Sequence, residues 1–341
     1  MGDIIAIGDV TEDVFVQVDD VHLICNHGNT DCLLCLKYSD KIAAKRVDKL
    51  IGGNAGNVAI GSRRLGLKSA LYAQVGNDDQ GKRILKSLKD DKVATNYFTL
   101  AKNEKTNYSV VINYGAERTI LVHHEKRKYK KKSIGPFNWI YLTSMGEGSE
   151  IFYPLAQNHL KKYLSKLVFN PGTHQLKSGL KTLGPLIKKS EMVTVNVEEA
   201  QFLLGIKHRD IRILLKELRA YGCKIALITD GPEGSYVFDG KKFLYCPIYD
   251  VPILERTGCG DSYATAFTAA LQYGKSAEDA MKWGTINAAS VIQRIGPQEG
   301  LIKYSFLQQI LKANPKFEVR EFDVPQVTKD TKYKPKKYLK W

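Results

Sequence analysis

"ERTGCGDSYATAF" occupies residues 255–267 and sets Gly258, Cys259 and Gly260 directly before Asp261, where an apolar stretch with helical spacing begins. Glycine admits backbone conformations closed to other residues, so successive N–H groups can converge on one point. The N-terminus of a helix adds unpaired N–H groups and a positive dipole end, and both favour an anion. Asp261 then puts a carboxylate beside a place built for negative charge. That arrangement suits an acid that removes a proton while amides stabilise charge on a group in transfer. Alone, the segment reads equally well as an Asp in the first turn of a helix that follows a glycine turn.

The bulk of the chain narrows the classes. Its 341 residues suffice for one large α/β domain or two smaller ones. An apolar fraction of 43% and a charged fraction of 26% are ordinary for a globular protein. No apolar run approaches the roughly 20 residues of a membrane span. The opening "MGDIIAIGDV" lacks the basic, apolar and small-residue order of a signal peptide, so a cytoplasmic location is expected. Six cysteines in a chain of this length do not suggest a disulfide scaffold. Cys25, Cys32 and Cys35, with His22 and His27 nearby, raise the question of a zinc site. Only Cys32 and Cys35 have the C-x-x-C spacing and no second such pair exists, so "CLLCLKY" (32–38) reads as a strand with two small apolar thiols.

The net charge of +15 raises the question of nucleic acid. The most basic runs, "EKRKYKKK" (125–132) and "KDTKYKPKKYLKW" (329–341), sit in no aromatic-rich RNA-binding pattern. They read as solvated lysine faces, and the balance also suits a protein that handles polyphosphate.

Outward from residue 255 the rhythm is strand, helix, strand. "DIIAIGDV" (3–10), "NWIYLTSMG" (138–146), "KLVFNPG" (166–172), "EMVTVNV" (191–197) and "KIALITDG" (224–231) are apolar strands with polar residues at their ends. "NAGNVAIGSRRLG" (54–66) and "QGKRILKSLKDDKV" (80–93) are helices, and "KSALYAQVG" (68–76) is a strand. Such alternation predicts a doubly wound, mostly parallel sheet covered on both faces, with ligands beyond the carboxyl ends of its strands. Two regions break the rhythm: "EDVFVQVDD" with "DCLLCLKYSDKIAAKRVDKLIGG" (12–53), and the hairpin "TNYSVVINYGAERTILVHHEK" (106–126) with "YGAE" as its turn. Too small for a core of their own, they predict a mostly antiparallel lid. The expected organisation is one domain over 1–324, its lid drawn from about 14–51 and 97–126, and a basic tail over 325–341.

Four segments in order resemble the ribokinase-like (PfkB) carbohydrate and nucleoside kinases, over residues 3 to 312: "GGNAGNVAIGSRRLG" (52–66), "NVEEAQFLLG" from Asn196, "TDGPEGSYVF" from Thr229 and "RTGCGDSYATAFTAAL" (256–271). The resemblance implies an ATP-dependent kinase of a sugar hydroxyl or, alternatively, of a nucleoside. Asp261 is then the base, and the N–H groups of Gly258, Cys259 and Gly260 form an anion hole. Gly52, Gly53, Asn54 and Asn57 would contact the acceptor, with Asp13 reading two of its hydroxyls. Asn196, Thr229, Gly231, Gly234 and Asn287 would lie beside the nucleotide, and Asn196 and Glu199 would organise Mg²⁺ largely through water.

Where relatives hold a monovalent cation with Asp, this chain has Glu255, followed by Arg256 as a competing cation, which argues against potassium activation. The family likeness also implies a homodimer through exposed lid strands. Phe15, Tyr108 and Tyr114 are the lid aromatics that could form a slot for a base, although aromatics in strands more often pack. A third class, a silent nucleic-acid binder using the basic surface, is weakened because the phosphoryl-transfer residues are all present.

Overall fold

The computed structural model describes residues 1–26, 32–115, 117–322 and, as backbone, 332–333. His27, Ala116 and most of the basic tail lie outside the described residues.

The strand Gly2–Ile7 is the axis of the molecule. Its run of apolar residues can be buried on both faces, and it hydrogen-bonds in parallel to Phe137–Leu142 on one side and Ser69–Tyr72 on the other. From that centre the sheet extends through Lys166–Phe169, Met192–Asn196 and Ile225–Thr229, all parallel. Ser235–Phe238, Phe243–Cys246 and Arg320–Glu321 then close it with antiparallel pairings.

Alternate residues point to opposite faces of a strand. Ile4 and Ala6 therefore pack with residues of the helices Asn54–Arg64, Cys259–Gln272 and Ala277–Val291. Ile5 and Ile7 pack on the other side with Phe152–Tyr163, Gly179–Ile187, Val197–Leu204 and Ile211–Ala220. Two helical layers over one largely parallel sheet are what the apolar strand runs implied. "KSALYAQVG" departs from that reading, since it divides into Ser69–Tyr72 and a second strand, Gln74–Gly76, that pairs with Thr99–Ala101 in a small separate sheet. No helix among the described residues is long and apolar enough to cross a membrane.

A second sheet lies at the carboxyl ends of these strands, in the order Glu117–His123, Asn107–Tyr114, Thr11–Val18, Ala44–Gly52. Its outer pairings are antiparallel, but the central one, between Thr11–Val18 and Asn107–Tyr114, is parallel. The mostly antiparallel expectation holds for the hairpin and fails at that seam. The two central strands come from separate segments and both run outward from the core, so they meet side by side.

Beyond it, His22–Cys25 and Cys32–Cys35 form a small ribbon in which Cys25 and Cys32 are joined by a disulfide. The expected pair of small apolar thiols is thus corrected: Cys32 is bonded, and Cys35 alone of the two is free. Leu23, Ile24 and Leu33 are exposed, so the ribbon has little core, and a crosslink supplies the restraint that packing does not.

The basic run over 125–132 is also more than a solvated face. Arg127 is buried, its guanidinium held by Glu104, Asn107 and the Lys105 carbonyl. Tyr129 donates to Asp9 and accepts from the Gly146 N–H. At the other end of the chain, Lys332–Tyr333 pairs in parallel with Ile248–Tyr249, inside the stretch expected to be a basic tail.

Candidate active site

The turn before the helix Cys259–Gln272 is tight because Gly258 caps it at φ 78°, a left-handed conformation costly for any residue with a Cβ. A Cβ there would also run into Pro297. Gly260 faces open space, with no atom within 4 Å of where its Cβ would be. The Cys259 N–H donates to the Arg256 carbonyl at 3.3 Å. Among the described residues the amides of Gly258, Gly260 and Asp261 have no hydrogen-bond acceptor, so of the expected set only the Cys259 amide is committed, and Asp261 adds a further open donor. Burial pushes the Cys259 thiol up to about 11, which keeps it protonated and unreactive at neutral pH.

Asp261 is half-buried and accepts a hydrogen bond from Asn57 Nδ2 at 2.8 Å. Burial first, then the charges of Glu199 and Asp13, push its carboxyl up to about 6, against the pull of the Asn57 bond. Asn57 in turn accepts from Gln298 Nε2 at 3.0 Å, so its amide is oriented with the nitrogen toward Asp261. Gln298 escaped the sequence reading; a glutamine in a glycine- and proline-containing loop carries no signal of that role.

The helix carrying Asn57 starts at Asn54 after Gly53, which caps it at φ 84°. A Cβ on Gly53 would lie 2.5 Å from Val10 Cα, so the close crossing of the two backbones requires glycine. One residue earlier, a Cβ on Gly52 would overlap the Asp13 carboxylate, which packs directly against that glycine. Asp13 is buried and accepts from Thr11 Oγ1 at 2.7 Å. Burial raises its pKa, while the Thr11 and Ser109 hydroxyls oppose the shift. Asp9 adds a second buried acid at the end of the first strand, unnoticed in the sequence. Its Oδ1 accepts from Tyr129, and its Oδ2 faces His124 Nδ1 at 3.5 Å without a hydrogen bond.

Asn196 and Thr229 end adjacent strands and stand side by side in register. Asn196 caps the helix Val197–Leu204 in a reciprocal box: its Oδ1 accepts from the Glu199 N–H at 2.7 Å, and Glu199 Oε2 accepts from the Asn196 N–H at 2.9 Å. Glu199 Oε1 takes no part in that cap. Burial raises the Glu199 pKa. Gly231 and Gly234 turn the chain at φ 49° and φ 93°, and nothing lies within 4 Å of a Cβ on Gly231. Arg209 joins this end by pairing with Glu198 and the buried Asp230, an arrangement across three segments that sequence reading missed.

Asn287 is the exception. It is 1% exposed, with Nδ2 donating to the Ser262 carbonyl and Oδ1 accepting from the Ile302 N–H. The expected nucleotide contact is therefore corrected to an internal tie from its helix to the helix Cys259–Gln272 and to the loop at Ile302. A second correction concerns Arg256, whose Nη1 pairs with the exposed Glu117 at 2.9 Å. The guanidinium beside Glu255 belongs to Arg118 of the lid hairpin, 3.6 Å from Glu255 Oε1.

Residues 23–303 match the model of the pfkB family carbohydrate kinases. An uncharacterized sugar kinase of Archaeoglobus fulgidus is 23% identical over 71% of this chain and 98% of its own. Among solved structures, Arabidopsis thaliana ribokinase complexed with ribose and ATP aligns with a TM-score of 0.74 at 20% identity, over 91% of this chain and 99% of that one. The Burkholderia thailandensis nucleoside kinase in complex with inosine gives 0.73 at 14%, over 92% and 99%. A double-mutant fructokinase of Vibrio cholerae, in a fructose-, ADP- and potassium-bound form, gives 0.69 at 19%, over 90% and 97%.

Proposed function

The chain belongs to the pfkB family of carbohydrate kinases and is a phosphotransferase with a hydroxyl acceptor; from that premise we propose that Asp261 is its base and that ATP is the donor to a sugar or sugar derivative. The observation that carries this reading is the Asp261 carboxyl. It is pushed up to about 6, oriented by Asn57 and set beside unpaired amides at a helix start.

In the reaction Asp261 accepts the proton of the acceptor hydroxyl as that oxygen bonds to the γ-phosphorus. The bond from the γ-phosphorus to the bridging oxygen breaks, and ADP leaves. The Gly260 and Asp261 N–H groups, at the positive end of their helix, bind the equatorial oxygens of the transferred group, where charge neutralisation matters most. Asp13, pressed against Gly52, accepts from acceptor hydroxyls, as an ionised carboxylate can from two donors.

Asn196 and Glu199 suit Mg²⁺, a hard cation that prefers oxygen ligands and keeps its waters. Glu199 commits Oε2 to the cap and keeps Oε1 for such a role. The ion supplies charge neutralisation to the nucleotide phosphates when bound. Thr229, Gly231 and Gly234 form the open turn at which those phosphates would lie.

A nucleoside acceptor is the second reading, suggested by the fold neighbour that binds inosine. Phe15 is 2% exposed and packs inside the lid, which leaves Tyr108 and Tyr114 to face a base. The lid's edge strand Glu117–His123 exposes Ile120, Leu121 and Val122, and a second copy of the chain would cover it; sedimentation as a dimer is the expected result.

The test is acceptor-dependent nucleotide consumption across pentoses, hexoses, their phosphates and nucleosides. Turnover of one sugar class with ATP is expected. Consumption only with nucleosides would move the chain to the second reading, and none with any acceptor would overturn both.

A further inference from the structure

Glu255 lies in the turn that leads to Gly258 and is 3% exposed. Its Oε1 accepts from the Thr257 N–H at 2.8 Å and from Thr257 Oγ1 at 2.6 Å, so this carboxylate holds the turn that shapes the anion hole. Its Oε2 is buried with no hydrogen-bond partner among the described residues. A buried carboxylate is costly unless a positive charge compensates it.

The compensating charge comes from the other sheet. Arg118 Nε stands 3.6 Å from Glu255 Oε1 and is likewise buried without a hydrogen-bond partner. Directly across the hairpin from Arg118 is Asn113, whose Oδ1 is also buried and unpartnered. An unpaired guanidinium N–H and the unpaired oxygens of Glu255 and Asn113 thus occur together on the lid hairpin and the turn it meets.

A free monovalent cation fits this place poorly, because a guanidinium that stays charged at any working pH already stands beside the carboxylate and would repel it. The potassium in the bound form of the fructokinase neighbour belongs to that protein.

We propose that Arg118 is the fixed cation of the anion-hole turn: it neutralises Glu255 from the lid and frees the chain from any need for a monovalent cation. Arg118 is a positioning residue here, acting through Glu255 on the amides of Gly260 and Asp261. The proposal rests on the kinase reading above for its effect on turnover, but the charge pairing itself is testable without a substrate.

The experiment compares purified full-length wild type, Arg118→Met and Arg118→Lys in potassium chloride and in tetramethylammonium chloride at equal ionic strength. Melting temperature and nucleotide consumption are read side by side. Wild type should behave alike in both salts. Arg118→Met should lose about tenfold to a hundredfold in kcat in tetramethylammonium, the scale of a misplaced catalytic group. Potassium should restore part of that loss and raise the variant's melting temperature, with KM for ATP little changed. Arg118→Lys keeps the charge and should stay indifferent to potassium.

A wild type that needs potassium overturns the proposal, and so does a folded Arg118→Met that melts alike in both salts. Should Arg118→Met fail to fold, Arg118→Lys decides: indifference to potassium supports the proposal, and a potassium-dependent melting temperature overturns it. If no acceptor is turned over by any form, the kinase reading fails, while the melting temperatures still decide the role of Arg118.

Discussion

At Asp261, the proposed base, two opposing effects act on the carboxyl. Burial and neighbouring carboxylates push its pKa up from 3.8 to about 6, while the Asn57 hydrogen bond pulls it down. A base must be ionised, so kcat/KM should fall about tenfold per pH unit below about 6. Asn57→Ala removes the donor that favours the charged form and should move that limb to higher pH, seen in the same profile; a limb near pH 4 would contradict the assignment.

Asp261→Asn should lower kcat by about 10²–10⁴-fold, the scale of a positioned general base. It should also be stabilising in alkali. The folded pKa exceeds the unfolded one, so the wild type loses stability as pH rises from about 4 through about 6 and carries that cost above it. The variant does not, so its melting temperature should exceed that of wild type at pH 8 and match it near pH 3.5. At this scale the sequence singled out Asp261 by the glycine turn before it, and Asn57 and Asp13 by the family resemblance alone. Gln298, Asp9 and Arg118 carry neither signal, and only proximity across the fold gives them a part.

At the level of elements the proposed chemistry sits at helix starts, and their geometry separates charge from scaffold. The Asn196–Glu199 box can be kept by glutamine, which also reaches back to the cap N–H. Glu199→Gln should therefore leave thermal stability nearly unchanged and raise the Mg²⁺ concentration for half-maximal activity by about tenfold or more, as lost outer ligands do. An unchanged Mg²⁺ titration would remove Glu199 from the site.

The opposite case is Gly258→Ala. It forces a Cβ into the left-handed region, at about 1–2 kcal/mol, and against Pro297, at about 1–3 kcal/mol. Loss of melting temperature together with turnover is the expected result, checked by calorimetry and rate on one preparation. The helices near 54–66, near 80–93 and from Asp261 were legible from their apolar spacing. The parallel seam of the lid was not, because pairing direction depends on where two distant segments meet.

Across the whole molecule, Asp13 and Asn196 answer to different sheets. Asp13 lies on Thr11–Val18, which leaves the core strand Gly2–Ile7 after residues 8–10 and enters the lid sheet, while Asn196 ends a strand of the central sheet. Glu12, on the same lid strand, is tied to Arg83 of the helix Asp79–Asp90 at 2.6 Å. Asp13→Ala should thus weaken kcat/KM for the acceptor by about tenfold or more, since each hydrogen bond to a charged group is worth roughly 1.5–3 kcal/mol. Nucleotide affinity measured on the same variant should barely move. Equal losses in both would mean that the substitution damages the fold.

What the sequence by itself determined was local and periodic. The apolar strand runs implied a covered, largely parallel sheet, and the glycine turn before Asp261 implied a helix start there, because backbone geometry and burial periodicity are written in neighbouring residues. Only the tertiary structure decided which side chains meet. It turned Asn287 inward, joined Cys25 to Cys32, gave Glu255 the lid's Arg118 in place of its neighbour Arg256, and committed the Cys259 amide while leaving that of Asp261 open. Each of those outcomes depends on distances between segments far apart in the chain, and such distances are set by packing.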